Sequence, residues 1–359
     1  MTESIPVIVV GSGHGCRVHV PALRAAGFDV VALVGSDEQR TQRRAQRLSI
    51  ALAATDLAQA IDQTNAQAVT IASTPHTHYP LAKIALSKGC HVMSEKPFTL
   101  KAEHAKELLI LAQEKGVQHL LGNQMRARPE RVAVANAIAQ GAIGQAKFIT
   151  LVQYASLLAD TRQAWPQWWF DAEQGGGWLG ASGSHMIDQV RSWLGEFESL
   201  SASLPTVAAR ENVTEDSFAV RFRLRNGVEG IMQQCGAAWG EFSAMTRVSG
   251  TDGSLWIDNG KAWLADINGT RELEPPANVS LPAMPVSDDP REQFLHLELP
   301  PAQRLFENWR NGILQQPQTN PTQFANFNDG LAAMQVLEAI RLSAANDGAT
   351  VPVDANSVE

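Results

Sequence analysis

Cysteine is scarce in this chain. Its three cysteines, Cys16, Cys90 and Cys235, are odd in number and widely spaced along 359 positions, which offers neither a disulfide framework nor a zinc spacing and fits a reducing compartment. Long apolar runs are also missing. No stretch approaches about 18 uninterrupted apolar residues, so no membrane-spanning helix is expected. The N-terminus carries an acid at Glu3 and only the short apolar run Val7 to Val10, unlike a secretory leader. Positive charge is in deficit, with 29 Lys and Arg against 37 Asp and Glu and a formal net charge of -8. A nucleic-acid footprint needs a clustered basic excess; the densest basic run, Arg40 to Arg47, has the spacing of a solvated helix face. The expectation is a cytoplasmic protein that binds neither nucleic acid nor membrane.

What is present describes a folded enzyme-sized chain. A hydrophobic content of 44% with 18% charged residues is that of a globular protein, and the length favours two domains. From Pro6 to about Gly122 short apolar runs (PVIVV, DVVALV, AVTIAS, CHVMSE, VQHLLG) alternate with helical patterns at Val18 to Ala26, Asp37 to Leu48, Asp56 to Gln63, Tyr79 to Lys88 and Lys101 to Lys115. Such alternation predicts a doubly wound parallel sheet, because each crossover helix must cover a sheet face. After Arg128 helices are expected at Pro129 to Ala139 and Ser184 to Leu194. Then Asn226-Gly227, Asp252-Gly253, Asn259-Gly260 and Asn268-Gly269 punctuate alternating stretches, the chemistry of tight hairpins in an antiparallel sheet. Residues 274 to 290 are Pro-rich and expected to be loop, with helices resuming at Ala302 to Asn311 and Phe324 to Ala345. The fold class is α/β: a Rossmann-type domain over 1–124, followed by an α+β domain over 125–359.

The motif GSGHGC follows the first strand and opens a helix. In that context a glycine-rich turn binds a dinucleotide pyrophosphate, which makes Gly11, Ser12, Gly13, His14 and Gly15 cofactor-binding candidates. Cys16 occupies the third glycine place, whose task is close helix-to-strand packing. At the end of the second strand, Gly35 stands where a carboxylate would accept from the ribose of NAD. Ser36 can donate to a 2'-phosphate there and Arg40 can neutralise it. NADP(H) is therefore expected over NAD(H); in the alternative, Asp37 reaches the ribose and NAD is used.

STPHTHYPLAKIALSKGCHVMSEKPF, residues 73 to 98, resembles the Gfo/Idh/MocA oxidoreductases, the Glu95-Lys96-Pro97 element being its most specific mark. The resemblance extends to the glycine loop with His19, to GGGWLGASGSHMID (175–188) and to DGLAAMQVLEAIRLSAANDG (329–348). It implies a Rossmann domain followed by an α+β domain with a large open, mainly antiparallel sheet. It also implies that Ser73, Thr74, Pro75 and His78 lie under the cofactor, with Glu95 and Lys96 at the nicotinamide edge. Lys96 would be the catalytic acid/base, because a neighbouring cationic ring and partial desolvation lower a lysine's pKa. His185 would face it over the nicotinamide.

In many members an Asp stands four residues before that histidine, where this chain has Ala181. Three outcomes stay open: Lys96 and His185 suffice, Asp188 or another acid substitutes, or redox turnover is lost. Trp168 and Trp169, in a tryptophan-rich stretch running from Trp165 to Trp178, are candidates for the apolar faces of a sugar ring, or for core or interface packing. Arg126 is a candidate for substrate oxygens or for pairing with an acid. His76 and His78 offer only two imidazoles, so no metal is expected. His14 and His19 read as local hydrogen-bonding residues. The implied function is NAD(P)-dependent hydride transfer to or from a carbohydrate, cyclitol or related polyol by a homodimer or homotetramer joined through the open sheet. The alternatives are a non-catalytic sugar sensor and a glycoside-cleaving enzyme with transient redox of a bound cofactor.

Overall fold

The computed structural model describes residues 4–210, 214–284, 292, 295–318 and 322–353. Its chain divides into two compact units, Met1–Arg128 with Asn278–Leu331, and Pro129–Ala277 with Ala332–Glu359.

In the first unit the β-branched run Ile5–Val10 forms β1, almost wholly buried, as befits a parallel strand covered on both faces. The strands β2 (Phe28–Val34), β3 (Leu52–Ala54), β4 (Ala68–Ile71), β5 (His91–Ser94) and β6 (His119–Leu121) complete a six-stranded sheet of order β3-β2-β1-β4-β5-β6. Every pairing in it is parallel. The strand order reverses between β1 and β4, and the crevice beyond the carboxyl ends of such neighbours is where open α/β sheets bind ligands.

The helices are α1 (Val20–Ala25), α2 (Glu38–Arg47), α3 (Leu57–Thr64), α4 (His78–Ser87) and α5 (Ala102–Lys115). Asp37 and Asp56 cap α2 and α3, their side chains accepting from the backbone N–H of Arg40 and Gln59. Two expectations shift. The helix expected from Val18 is already helical at His14 and passes through a π-helical turn, Gly15–His19. The short strand β3 was not foreseen, because Leu-Ala-Ala carries no β-branched residue.

The second unit opens with α6 (Pro129–Ala139), followed by β7 (Ala146–Tyr154), α7 (Ser184–Leu194), β8 (Phe197–Ser203), β9 (Ser217–Leu224) and β10 (Glu229–Cys235). Then come β11 (Ser243–Gly250), β12 (Gly253–Asp258), β13 (Lys261–Asp266) and β14 (Gly269–Leu273). With β15 (Val351–Pro352) they make a nine-stranded sheet, β14-β13-β12-β11-β7-β10-β9-β8-β15. It is antiparallel except where β7 meets β10. Each of the four turn dipeptides joins an adjacent strand pair, with Asn259 and Gly260 both at positive φ, 49° and 73°.

The boundary expected after residue 124 falls after Arg128, and the second domain is not continuous to the C-terminus. The chain returns to the first unit through α8 (Leu295–Ile313), which buries Leu305, Phe306 and Trp309 in the same core as Val18, Leu23 and Phe28. Trp309 stacks on Phe28 with ring centroids 5.4 Å apart. Such a return is invisible to local pattern, since it is decided by which core accepts three large side chains. α8 also begins earlier than Ala302; Pro300 and Pro301 lie inside it and are buried. The last helix, α9, spans Phe327–Ala345. Residues 285–290 of the expected loop lie outside the described residues.

Candidate functional site

At the carboxyl end of β1 the chain turns at Gly11, φ +114°, where a Cβ would lie 2.3 Å from the carbonyl oxygen of Ala72. Only glycine fits there. Gly13 has nothing within 4 Å of its Cβ position, so its backbone is bare toward the crevice. Gly15 packs on Val9, with a Cβ position 2.9 Å from a methyl group. The close packing expected of Cys16 therefore falls one residue earlier. Turn, open approach and packing are the three tasks of a pyrophosphate loop, and a helix starts directly behind it. The shape of the loop thus fits a dinucleotide pyrophosphate.

At the end of β2, a Cβ on Gly35 would stand 2.3 Å from Thr41 Oγ1, so no side chain could project from this place. Asp37 is engaged at the head of α2, Oδ1 accepting from Arg40 N at 2.7 Å. Arg40 Nη2 lies 3.5 Å from Ser36 Oγ, which puts a cation and a hydroxyl side by side.

After β4, Ser73 and Thr74 enter a tight turn, Pro75–Thr77. There Ser73 Oγ and Thr77 Oγ1 are 2.6 Å apart, and Thr77 Oγ1 donates to Thr74 O at 2.7 Å. His78, expected beneath the cofactor, is 1% exposed. Its Nδ1 is 2.9 Å from Pro97 O and its Nε2 3.1 Å from Ser73 O, so it ties this loop to the next. Burial lowers its pKa.

The loop after β5 carries Glu95 and Lys96, and the Lys96–Pro97 peptide is cis. Glu95 is buried. Its Oε1 accepts from His19 Nε2 at 3.1 Å, and its Oε2 accepts from Lys96 N at 3.2 Å. A Cβ on Gly122 would lie 2.7 Å from this carboxylate. Burial opposes its charge, yet the hydrogen bond from His19 and the neighbouring His14, His19 and Lys96 hold the carboxyl well below the ordinary range. Burial lowers the pKa of Lys96, against the pull of Glu95 and Glu298.

His14, a cofactor-binding candidate also expected to form local hydrogen bonds, faces Glu95 Oε1 with Nε2 at 3.7 Å and Glu298 Oε2 with Nδ1 at 3.8 Å. Burial first, then His19, Lys96 and Arg17, outweigh Glu95 and bring its pKa down to about 4, so the ring is neutral. Glu298, from α8, is shifted upward by burial, opposed by Arg17 and Lys96. Donor atoms of His14, His19 and Glu95 lie within 4.8 Å of one another, a set of ligand types that zinc uses. Two features favour a hydrogen-bonded network instead: the His19–Glu95 bond is already closed, and the charges of Lys96 and Arg17 bear on the His14 imidazole. No sequence signal pointed to Glu298, which stands about 200 residues beyond the loop it joins.

Arg126 was a candidate for substrate oxygens. Its Nη2 pairs with Asp329 Oδ1 at 3.0 Å and its Nη1 donates to Gln323 O at 3.1 Å. That takes up much of its guanidinium and ties β6's following turn to the head of α9.

In the second unit, His185 sits half-buried in the first turn of α7 and Asp188 is buried one turn on. Trp165, Trp168 and Trp169 cluster with centroids 5.1 and 5.3 Å apart. The glycines after them are packed against the fold: a Cβ on Gly176 would lie 2.3 Å from Trp168 O, and one on Gly177 2.2 Å from Glu215 Oε1. Trp178 is core, lying over Gly236. Glu215, also missed from sequence, accepts from Leu179 N at 3.1 Å, and burial raises its pKa.

A glycine turn shaped for pyrophosphate after β1, and two strands across the sheet a desolvated lysine after β5, define a dinucleotide-dependent oxidoreductase. Residues 5–123 match the model of the oxidoreductase family with NAD-binding Rossmann fold, and residues 132–256 match the GFO/IDH/MocA C-terminal domain. An uncharacterised oxidoreductase of Synechocystis sp. is 31% identical over 340 residues, 90% of this chain and 91% of its own. The chain belongs to the Gfo/Idh/MocA oxidoreductase family.

A 1,5-anhydro-D-fructose reductase of Ensifer adhaerens is 28% identical over 66% of this chain and 70% of its own. A levoglucosan dehydrogenase of Pseudarthrobacter phenanthrenivorans is 26% identical over 59% and 60%. Among solved structures, levoglucosan dehydrogenase in complex with NADH and L-sorbose superposes with a TM-score of 0.85 at 21% identity, covering 98% of this chain and 100% of its own. That likeness shows the shared fold. Among the described residues no helix is long and apolar enough to cross a membrane.

Proposed function

We propose that the chain is a dehydrogenase of a carbohydrate, cyclitol or related polyol, preferring NADP(H) to NAD(H), with Lys96 as general acid/base. The nicotinamide ring supplies the hydride acceptor or donor. Lys96, as a neutral amine, takes the proton of the substrate hydroxyl while the hydride leaves the same carbon, and returns it in the reverse direction. The observation that carries this reading is the desolvation of Lys96 beside a carboxylate fixed by His19: burial lowers the lysine's pKa, while Glu95 pulls the other way. His185 has the assisting role, and Asp188 stands as the candidate replacement for the acid missing at Ala181. The relatives named for 1,5-anhydro-D-fructose and levoglucosan support a sugar-type substrate, for which Trp168 and Trp169 offer flat apolar faces.

The cofactor preference rests on β2's end. Asp37 is occupied as a helix cap, Gly35 has no room for a side chain, and Ser36 and Arg40 adjoin; a 2'-phosphate meets a donor and a cation there, and no free carboxylate among these four residues.

The large sheet supports self-association into a dimer or tetramer. Phe148, Tyr154, Ile231 and Met245, each more than a third exposed, share one of its faces by register, an apolar surface unusual for a lone protomer.

The test is a panel of sugars, inositols and their keto forms with both cofactors, alongside direct titration of the protein. The reading expects reduced-cofactor formation with a polyol and tighter binding of NADPH. Tighter NADH binding overturns the preference; no hydride transfer to or from any member, with cofactor bound, favours the sensor alternative.

A further inference from the structure

Lys96 cannot serve a second turnover in the oxidative direction until the proton it has taken is gone, and the carboxylate beside it, Glu95, is buried. Two imidazoles touch the Glu95 carboxylate, but they differ in where they lead. The His19 side chain is 1% exposed and closed off in the interior against Phe306. His14 is 27% exposed, and its second nitrogen faces Glu298, itself 29% exposed. Exposure thus rises from Glu95 (11%) through His14 to Glu298. The geometry points to His14 and Glu298 as the proton exit of the Lys96 site, the imidazole passing protons between the Glu95–Lys96 pocket and a solvent-contacting carboxylate.

The step balances without another reactant. An N–H bond of the Lys96 ammonium breaks and its proton reaches His14 Nε2 by way of the Glu95 carboxylate that this nitrogen faces, as the proton on His14 Nδ1 leaves for Glu298 and then water; the alcohol's carbon is oxidised only in the preceding hydride transfer. The two gaps at His14, 3.7 and 3.8 Å, exceed a hydrogen bond and are of the kind closed by a small movement or one bridging water. The groups facing the ring suit a carrier. Burial first, then His19 and Arg17 on its own helical segment and Lys96 from the β5 loop, keep it neutral, while Glu95 and Glu298 flank its two nitrogens. A neutral imidazole can accept on one nitrogen and donate from the other. Its low proton affinity prevents it from trapping what it carries, and the upward-shifted Glu298 is the better terminal acceptor.

This inference rests on the dehydrogenase reading, and its test separates the two. The full chain is compared with His14→Ala and Glu298→Gln in three measurements: single-turnover reduction of cofactor by a polyol that the parent oxidises, steady-state turnover with and without added imidazole, and the pH profile of Lys96 acylation without substrate, read by mass spectrometry. In Glu298→Gln the single-turnover rate should stay within about twofold of the parent while kcat falls about 100-fold, the lower end for a lost proton-transfer group; in His14→Ala kcat should fall by a similar factor at saturating cofactor. Imidazole should restore His14→Ala at unchanged KM. In Glu298→Gln the acylation profile should move to lower pH, since a carboxylate that held the ammonium is gone. An unchanged kcat overturns the relay, and so does an equal fall in both rates that imidazole leaves uncorrected. If the parent oxidises no polyol, the dehydrogenase reading fails; the relay is then judged by acylation, and an unmoved profile overturns it.

Discussion

Glu95→Gln removes one charge at nearly constant volume from the centre of the first unit's site. The parent carboxylate accepts from His19 Nε2 at 3.1 Å and from Lys96 N at 3.2 Å. A hydrogen bond to a charged partner is worth about 1.5–3 kcal/mol and a neutral one about 1, so the variant should lose about 1–2 kcal/mol of folding stability at neutral pH. The pH dependence has a definite sign. The folded carboxyl is held below its ordinary 4.5, so its contribution is fully present above that value and declines as pH falls beneath it. Urea unfolding of both proteins at neutral pH and below about 4.5 reads the difference twice, and the gap should shrink in acid. Gly122→Ala, whose new methyl would press on the same carboxylate from 2.7 Å, is the independent control and should also destabilise. The variant further deprives Lys96 of its strongest pull upward, so the acid limb of alcohol oxidation should move to lower pH. Equal stability of parent and variant, or a gap that stays constant from neutral to acid pH, would refute the charge network.

Gly11→Ala combines a positive φ with a 2.3 Å clash against Ala72 O and should cost about 2–5 kcal/mol, seen as a large fall in Tm. Arg40→Ala should weaken NADPH by about 10–100-fold in a fluorescence titration and leave NADH within about twofold, as expected for loss of one charge-assisted contact. Met245→Glu puts a charge in the middle of the exposed apolar sheet face and should convert an oligomer to monomer by sedimentation velocity; an unchanged sedimentation coefficient would exclude that face as the contact.

Legibility from sequence followed the range of the interaction. Asp37 and Asp56 could be read as helix caps, and Asn259-Gly260 as a hairpin turn, because the residue and its partner lie within three positions of each other. Gly11 could be read because strand, turn and helix follow one another. β3 could not, since three residues of Leu and Ala pair only because β2 presents an edge. The π-helical start at Gly15–His19 likewise carries no local signature. His14, His19, Glu95 and Glu298 come from the glycine turn, the β5 loop and α8, and no spacing rule joins them; the family motif identified Glu95 and Lys96 without revealing what holds them. Gly176 and Gly177 were legible as required glycines, but their neighbours turned out to be Trp168 O and Glu215.

The most direct measurement is Lys96→Met assayed for cofactor binding and turnover together. Unaltered NADPH affinity with turnover reduced by at least about 100-fold is the expected result, the minimum for a group that moves the reacting proton. Retention of most of the parent's turnover would contradict the assignment of proton transfer to Lys96 and the account built on it.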